Sequence, residues 1–451
     1  MQSQFPNTCI IGGSVITGDG RTFFERGTVH VCGERISRVR EGQEEARPGS
    51  LAIDATGCAV IPGIVNAHAH GCTHGPSMPS GSLPFSASDV DYFRNRHLLA
   101  GTTTLLNVCG LALIDEAGED GEHPLDTQLS TAHTPSNIEA AMAIDGLGLA
   151  NRHKTTGIEA MIAAGAMALG EAGGGQTLGG GAQDYRFIPT AIRDECGISI
   201  HPRQARALKE AVVGRALDGR GAMETASLQL LINESGLGDH FDAARMRNLI
   251  ETVVLPPVSK ALQGLWEIGE HAARTGLPAI FHTALPTIET LLQIAESFPT
   301  ACLIAGHANH PSFTAKETVE FASQLRARNV TIDVSTLDCI QTRWRNDPAN
   351  LDALVEAGLV DTISTDFAGG DWDSILSAIQ RMIHKSQLSA PAAVALATGN
   401  VAKVFPQLAG DRGRIEEGLR ADLVICENHN LGRVRHVLVK GAIVVWNGAL
   451  V

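Results

Sequence analysis

His68-Ala69-His70 directly follows the apolar run Ala59-Val60-Ile61-Pro62-Gly63-Ile64-Val65, and no other stretch constrains the chain as much. Side chains two apart share one face of a strand, so an apolar strand ending in His-x-His holds two imidazoles side by side at its C-terminal end. Neutral imidazole is the commonest metal ligand, and two on one rigid strand supply half of a tetrahedral site. Alone, the pair also fits two ordinary strand-end histidines, so further ligands decide the matter. The same grammar, an apolar strand stopped by one His, Asp or Glu and then by small or turn-forming residues, recurs four times. It is seen in Ala166-Met167-Ala168-Leu169-Gly170-Glu171, Leu277-Pro278-Ala279-Ile280-Phe281-His282, Ala301-Cys302-Leu303-Ile304-Ala305-Gly306-His307 and Asp361-Thr362-Ile363-Ser364-Thr365-Asp366. In a (β/α)8 barrel such strand ends converge on one face, where they and the loops after them build the active site. His68, His70, Glu171, His282, His307 and Asp366 therefore read as one constellation.

Barrel strands are expected near 64–70, 103–108, 139–145, 166–171, 278–282, 301–306, 329–334 and 361–366, with helically spaced apolar residues between them. Short alternating strands precede the barrel, as in Cys9-Ile10-Ile11-Gly12 and Thr28-Val29-His30-Val31-Cys32, and return after it, as in Leu423-Val424-Ile425-Cys426 and Val434-Arg435-His436-Val437-Leu438-Val439. Neither end has enough apolar surface for a core of its own, so a small composite β-sandwich made from both termini is expected. The division is then 1–61 for the N-terminal part of the sandwich, 62–405 for the barrel and 406–451 for the C-terminal part. The span from Glu171 to His282 exceeds one connecting helix. Extra helices are expected at 202–217, 223–234 and 240–253, ahead of the ordinary barrel helix at 257–274. This insertion, about 174–254, follows a strand's C-terminal end, which makes it a candidate lid or pocket wall, or else a subunit interface.

A chain of 451 residues with 44% hydrophobic content can bury the core of one large enzyme. Its formal charge of −14 disfavours nucleic acid and anionic membranes as partners. No apolar run reaches a membrane span, and Met1-Gln2-Ser3-Gln4-Phe5-Pro6 lacks the basic and apolar regions of a signal peptide, so a cytoplasmic location is expected. The nine cysteines are scattered, with no Cys-x-x-Cys, and read as reduced.

The chain resembles the amidohydrolase superfamily, and its local motifs look most like the enamidase, or cyclic amidohydrolase, branch. The resemblance rests on Pro62-Gly63-Ile64-Val65-Asn66-Ala67-His68-Ala69-His70, Gly101-Thr102-Thr103-Thr104, Leu169-Gly170-Glu171-Ala172-Gly173, Phe281-His282-Thr283, Gly306-His307 and Ser364-Thr365-Asp366. Ala397-Thr398-Gly399-Asn400 and the run from Gly413 to Val424 extend it towards the C-terminus, while the stretch from Gly173 to about Val254 stands outside it. It implies two divalent ions, zinc first, with iron, manganese, cobalt or nickel admissible. His68, His70 and Asp366 would hold one ion, His282 and His307 the other, and a carboxylate would bridge them. Glu171 is the natural bridge. A carboxylated lysine is the alternative, but Lys154 alone lies between His70 and Lys209, in a segment of helical character.

Such a centre presents a bridging hydroxide to an amide carbonyl, with Asp366 as the proton shuttle. The expected reaction is opening of a cyclic amide, whether lactam, imide or ring enamide, on a small-molecule substrate. The alternative is deamination of a purine-like or other amino-substituted ring. An esterase or lactonase, and a non-catalytic binding module, rank below. Candidate substrate contacts are His74 and His310, just beyond ligand strands, Cys72, two residues past His70, and Arg193, His201 and Arg203 in the insertion, which could hold a carboxylate. The superfamily resemblance also implies a homo-oligomer.

Overall fold

Eight strands, Ile64–Ala69, Thr102–Asn107, Asp126–Thr131, Ala168–Ala172, Ala279–His282, Leu303–Gly306, Thr331–Ser335 and Thr362–Ser364, hydrogen-bond in chain order as one sheet. The seven neighbouring pairs are all parallel. The last strand meets the first: the Asp366 amide donates to the His68 carbonyl at 2.9 Å and the His70 amide to the Phe367 carbonyl at 2.7 Å. The result is a (β/α)8 barrel. The computed structural model describes every residue except 1–6, 47, 119–121, 175–176, 180, 338–346, 368 and 370–373. The expectation for the N-terminal segment Met1 to Pro6 thus lies outside the described residues.

Burial follows the two-residue period of the strands. Ala279, Phe281, Leu303 and Ala305 belong to the large core shared with helix residues such as Leu265 and Ile268. Ile280 and Ile304 instead join Val65, Leu106, Val108 and Ala168 in a separate inner core, completed by Val401, Phe405 and Leu408 from the helices after the eighth strand. His282, two residues past Ile280, shares its inward parity. The ligand candidates therefore sit on top of a packed barrel interior.

Two expectations are corrected. Residues 139–145 are not a strand; they fall mostly in the helix Pro135–Ile144, and the third barrel strand is Asp126–Thr131. Ala140, Met142 and Ile144 alternate as a strand would, whereas Asp126-Thr127-Gln128-Leu129-Ser130-Thr131 is almost wholly polar, which hid it. Part of its polarity is taken up by hydrogen bonds: Ser130 Oγ donates to the Gly170 carbonyl and Gln128 Nε2 to Asp126 Oδ1 at 2.7 Å. The second correction concerns the break expected ahead of residue 257. Ala243–Thr275 is one helix of 33 residues running through Pro256 and Pro257. Two prolines in a helix interior remove hydrogen bonds at a cost of ~3 kcal/mol each. Val254, Val258, Ala261 and Leu265, buried on either side of them, hold the helix together by packing.

The insertion contributes Ile188–Cys196, Pro202–Val213 and Thr225–Glu234 ahead of that long helix. Buried Asp184 fastens it by accepting from Lys209 Nζ at 2.5 Å and Arg206 Nε at 2.7 Å. The two ends of the chain meet as expected. Leu423–Glu427 pairs antiparallel with Cys58–Pro62, which joins strands of both termini into one nine-stranded sheet. Ile10, Val29, Ile36 and Ile53 share its core with Leu423, Ile425 and Leu438. Among the described residues, no helix is long and apolar enough to cross a membrane.

Candidate metal centre

All six ligand candidates meet at the C-terminal mouth of the barrel. Glu171, at the tip of the fourth strand, is the hub. Its Oε1 lies 3.0 Å from His282 Nδ1 and 2.9 Å from His307 Nε2. Its Oε2 lies 3.5 Å from His70 Nε2 and 3.9 Å from His68 Nε2. Asp366 Oδ1 faces the first-strand pair from the other side, 3.2 Å from His70 Nε2 and 3.4 Å from His68 Nε2. Asp366 and His307 reach these positions with φ of 51° and 38°, the left-handed conformation that turns a side chain off its strand into the mouth. Lys154 lies exposed in the helix Asn151–Thr155 and takes no part.

The electrostatics are those of a cation seat. Burial pushes the Glu171 carboxyl up, but His282 and His307 outweigh it and hold it well below its ordinary range. Burial likewise raises Asp366, and His307 and His70 bring it down to about 2. In return Asp366 and Glu171 overcome the burial of His307 and raise it to about 9, and Asp366 overcomes that of His70 and raises it well above the usual imidazole value. His68 goes the other way, lowered to about 4 by burial. One buried and one half-buried carboxylate thus draw positive charge onto two of the four rings, the charge that divalent ions would replace. His68 Nε2 is buried without a hydrogen-bond partner among the described residues although two carboxylates flank it, as fits a ligand atom kept free for an ion. Imidazole and carboxylate donors together suit zinc or another first-row metal.

Of the residues offered as substrate contacts, His310 is brought to the centre, its ring centroid 5.4 Å from that of His282 and 5.7 Å from that of His307. His74 is half-buried in the loop after the first strand, its amide donating to the Glu116 carbonyl at 2.8 Å. Cys72 is withdrawn from that role: it is wholly buried in the large apolar core, and burial pushes its thiol far up. Arg193, His201 and Arg203 do not form a carboxylate site either, because all three are exposed and His201 Nδ1 caps a helix by accepting from the Arg203 amide at 3.1 Å.

Two supporting residues were not foreseen. Cys109, just past the second strand, donates its thiol to the Ser77 carbonyl at 2.9 Å and accepts from the Gly71 amide at 3.4 Å, tying down the loop that leaves His70. Asp333, on the seventh strand, accepts from Thr362 Oγ1 and Ser364 Oγ, each at 2.7 Å, and burial raises it to about 6. A lone Asp within Val330-Thr331-Ile332-Asp333-Val334 was the available signal.

Histidines and carboxylates at the strand tips of an eight-stranded parallel barrel stand where enzymes of this fold build their active sites. Residues 269–444 match the family model of the amidohydrolase family, which bears out the superfamily resemblance over that part of the chain. No curated protein matches it in sequence. Among solved structures it is similar in fold to the β-aspartyl dipeptidase of Fervidobacterium islandicum AW-1, at 17% identity and TM-score 0.57 over 99% of this chain and 98% of that one. A D-aminoacylase studied for its binuclear metal centre gives 15% identity and TM-score 0.57 over 99% and 98% of the two chains. The dihydropyrimidinase of Brevibacillus agri NCHU1002 gives 15% and 0.52 over 99% and 96%.

Proposed function

We propose that this protein is a metal-dependent hydrolase that opens a cyclic amide, a lactam, imide or ring enamide, in the manner of the enamidase branch. The observation that carries the reading is Glu171, with one oxygen turned to His282 and His307 and the other to His68 and His70. His68, His70 and Asp366 would hold one divalent ion and His282 and His307 a second, zinc first, with Glu171 between them. When bound, such ions supply Lewis acidity at a carbonyl and acidify water towards neutral pH. Asp366, ionised at neutral pH and hydrogen-bonded by His70, takes the proton of the attacking water and returns it to the departing nitrogen. The cysteines of the described residues are all free, which supports a reducing, cytoplasmic compartment. A homo-oligomer remains part of the proposal.

Protein purified with its metals is expected to open members of a panel of lactams, cyclic imides and ring enamides, as followed by mass spectrometry, with no ammonia released from the lactams and imides; a ring enamide opens to an enamine whose own hydrolysis then frees ammonia. Ammonia release from amino-substituted purine-like rings, with every cyclic amide left intact, would replace this reading with deamination. Asp366→Asn should lower kcat by roughly 10²–10⁴-fold while most of the metal is retained. A variant that keeps most of its activity would remove Asp366 as the shuttle.

A further inference from the structure

His310 lies three residues beyond His307, and its backbone carbonyl is held by Asn350 Nδ2 at 3.0 Å. Its ring stands edge-on to His282, and on its other side the Gly-rich loop passes so close that a β-carbon on Gly179 would come within 3.1 Å of His310 Cε1. Two groups of Ser312 converge on His310 Nδ1, its amide at 3.1 Å and its hydroxyl at 2.8 Å. The amide can only donate. The hydroxyl also accepts from the Leu285 amide at 3.0 Å, and having two lone pairs and one hydrogen it can follow either ring state, so the Ser312 amide decides. Nδ1 is therefore an acceptor. An imidazolium carries a hydrogen on both nitrogens, so only the neutral ring with its hydrogen on Nε2 fits this arrangement. Nε2 makes no hydrogen bond among the described residues.

We propose that His310 is a catalytic hydrogen-bond donor of the centre, a neutral imidazole fixed as its Nε2–H tautomer that donates to the oxygen derived from the scissile carbonyl. Ser312 is its positioning residue. The role rests on the hydrolase reading given above, where charge grows on that oxygen beside His282 and His307 and a preoriented neutral donor stabilises it without adding a buried charge.

The tautomer is tested apart from any turnover. In metal-loaded protein labelled with ¹⁵N-histidine, the ring resonances missing from His310→Gln should show an unprotonated Nδ1 and a protonated Nε2 at neutral pH. A protonated Nδ1 would overturn the inference. The donor role is tested with inorganic phosphate as a tetrahedral oxyanion probe, titrated calorimetrically into wild type, His310→Gln and His310→Phe at equal metal content. Loss of one neutral hydrogen bond predicts binding weakened about fivefold by Phe and less by Gln, which keeps a donor. Phosphate that binds the Phe variant as tightly as wild type, or does not bind wild type, would overturn the role. Protein that passes both tests but hydrates no cyclic amide would instead overturn the proposed reaction and leave the donor in place.

Discussion

Gly306 has no side chain because His68 occupies the space: a β-carbon there would lie 2.9 Å from His68 Cε1 and 3.0 Å from His68 Nδ1. Both atoms belong to a buried ring that cannot retreat without moving its Nε2 away from Glu171 and Asp366. Gly306→Ala is therefore expected to cut metal content and turnover together, by roughly tenfold or more, as a misplaced supporting group does. Elemental analysis of the purified variant checks this; full metal occupancy would show that the ring has room to yield. The six strand-tip residues were legible from sequence because strand geometry is local, so an apolar run and its terminal residue predict both direction and depth. His310 could be placed beside the centre but not given a role, since its tautomer depends on how the Ser312 amide meets its ring. Cys109 and Asp333 escaped notice because a thiol and a carboxylate within apolar runs look alike whether they pack or position.

At the scale of elements, the misplaced third strand shows where periodicity fails. A strand of Thr, Gln, Ser and Asp is readable only once its partners are known, and those partners lie tens to hundreds of residues away. The helix Pro135–Ile144 that took its place docks closely on the long helix, where Asn137 Nδ2 donates to the Gly264 carbonyl at 3.1 Å and a β-carbon on Gly264 would lie 2.5 Å from Asn137 Oδ1. Alanine is the better helix former by about 1 kcal/mol, but forcing tightly packed groups apart costs about 1–3 kcal/mol. Gly264→Ala should accordingly destabilise, by about 1 kcal/mol net, and lower the midpoint of thermal unfolding. A higher midpoint would mean that propensity outweighs the contact. The two prolines of the long helix teach the same lesson, for a local rule predicted a break that burial on both sides overrides.

The whole molecule is clasped where the barrel meets the chain's C-terminal part. Asp126 of the third strand accepts from Arg412 and, at 3.1 Å, from Arg420, which also pairs with the buried Asp422. Burial would raise Asp126, but Gln128 and Arg412 outweigh it and bring it to about 2 from an ordinary 3.8. A folded-state pKa below the unfolded one means that the carboxylate stabilises fully above about pH 4 and that this is lost as pH falls through about 2. Asp126→Asn is expected to cost about 2 kcal/mol at pH 7, the figure being discounted for partial exposure, and the gap in thermal midpoint from wild type should narrow below pH 4. A gap unchanged by acid would assign the effect to packing. That the two termini share one sheet was legible in sequence, because neither half could bury itself alone; the clasp was not, since it joins residues nearly 300 positions apart. The same holds of the centre, where Glu171 meets His307 across 136 positions and gathers four strand tips into one site. Glu171 would lie between the two ions proposed for this centre. Elemental analysis of protein purified without chelator should find about two metal ions per chain, falling sharply in Glu171→Ala. A single ion, unchanged in the variant, would take Glu171 out of the centre and contradict the account.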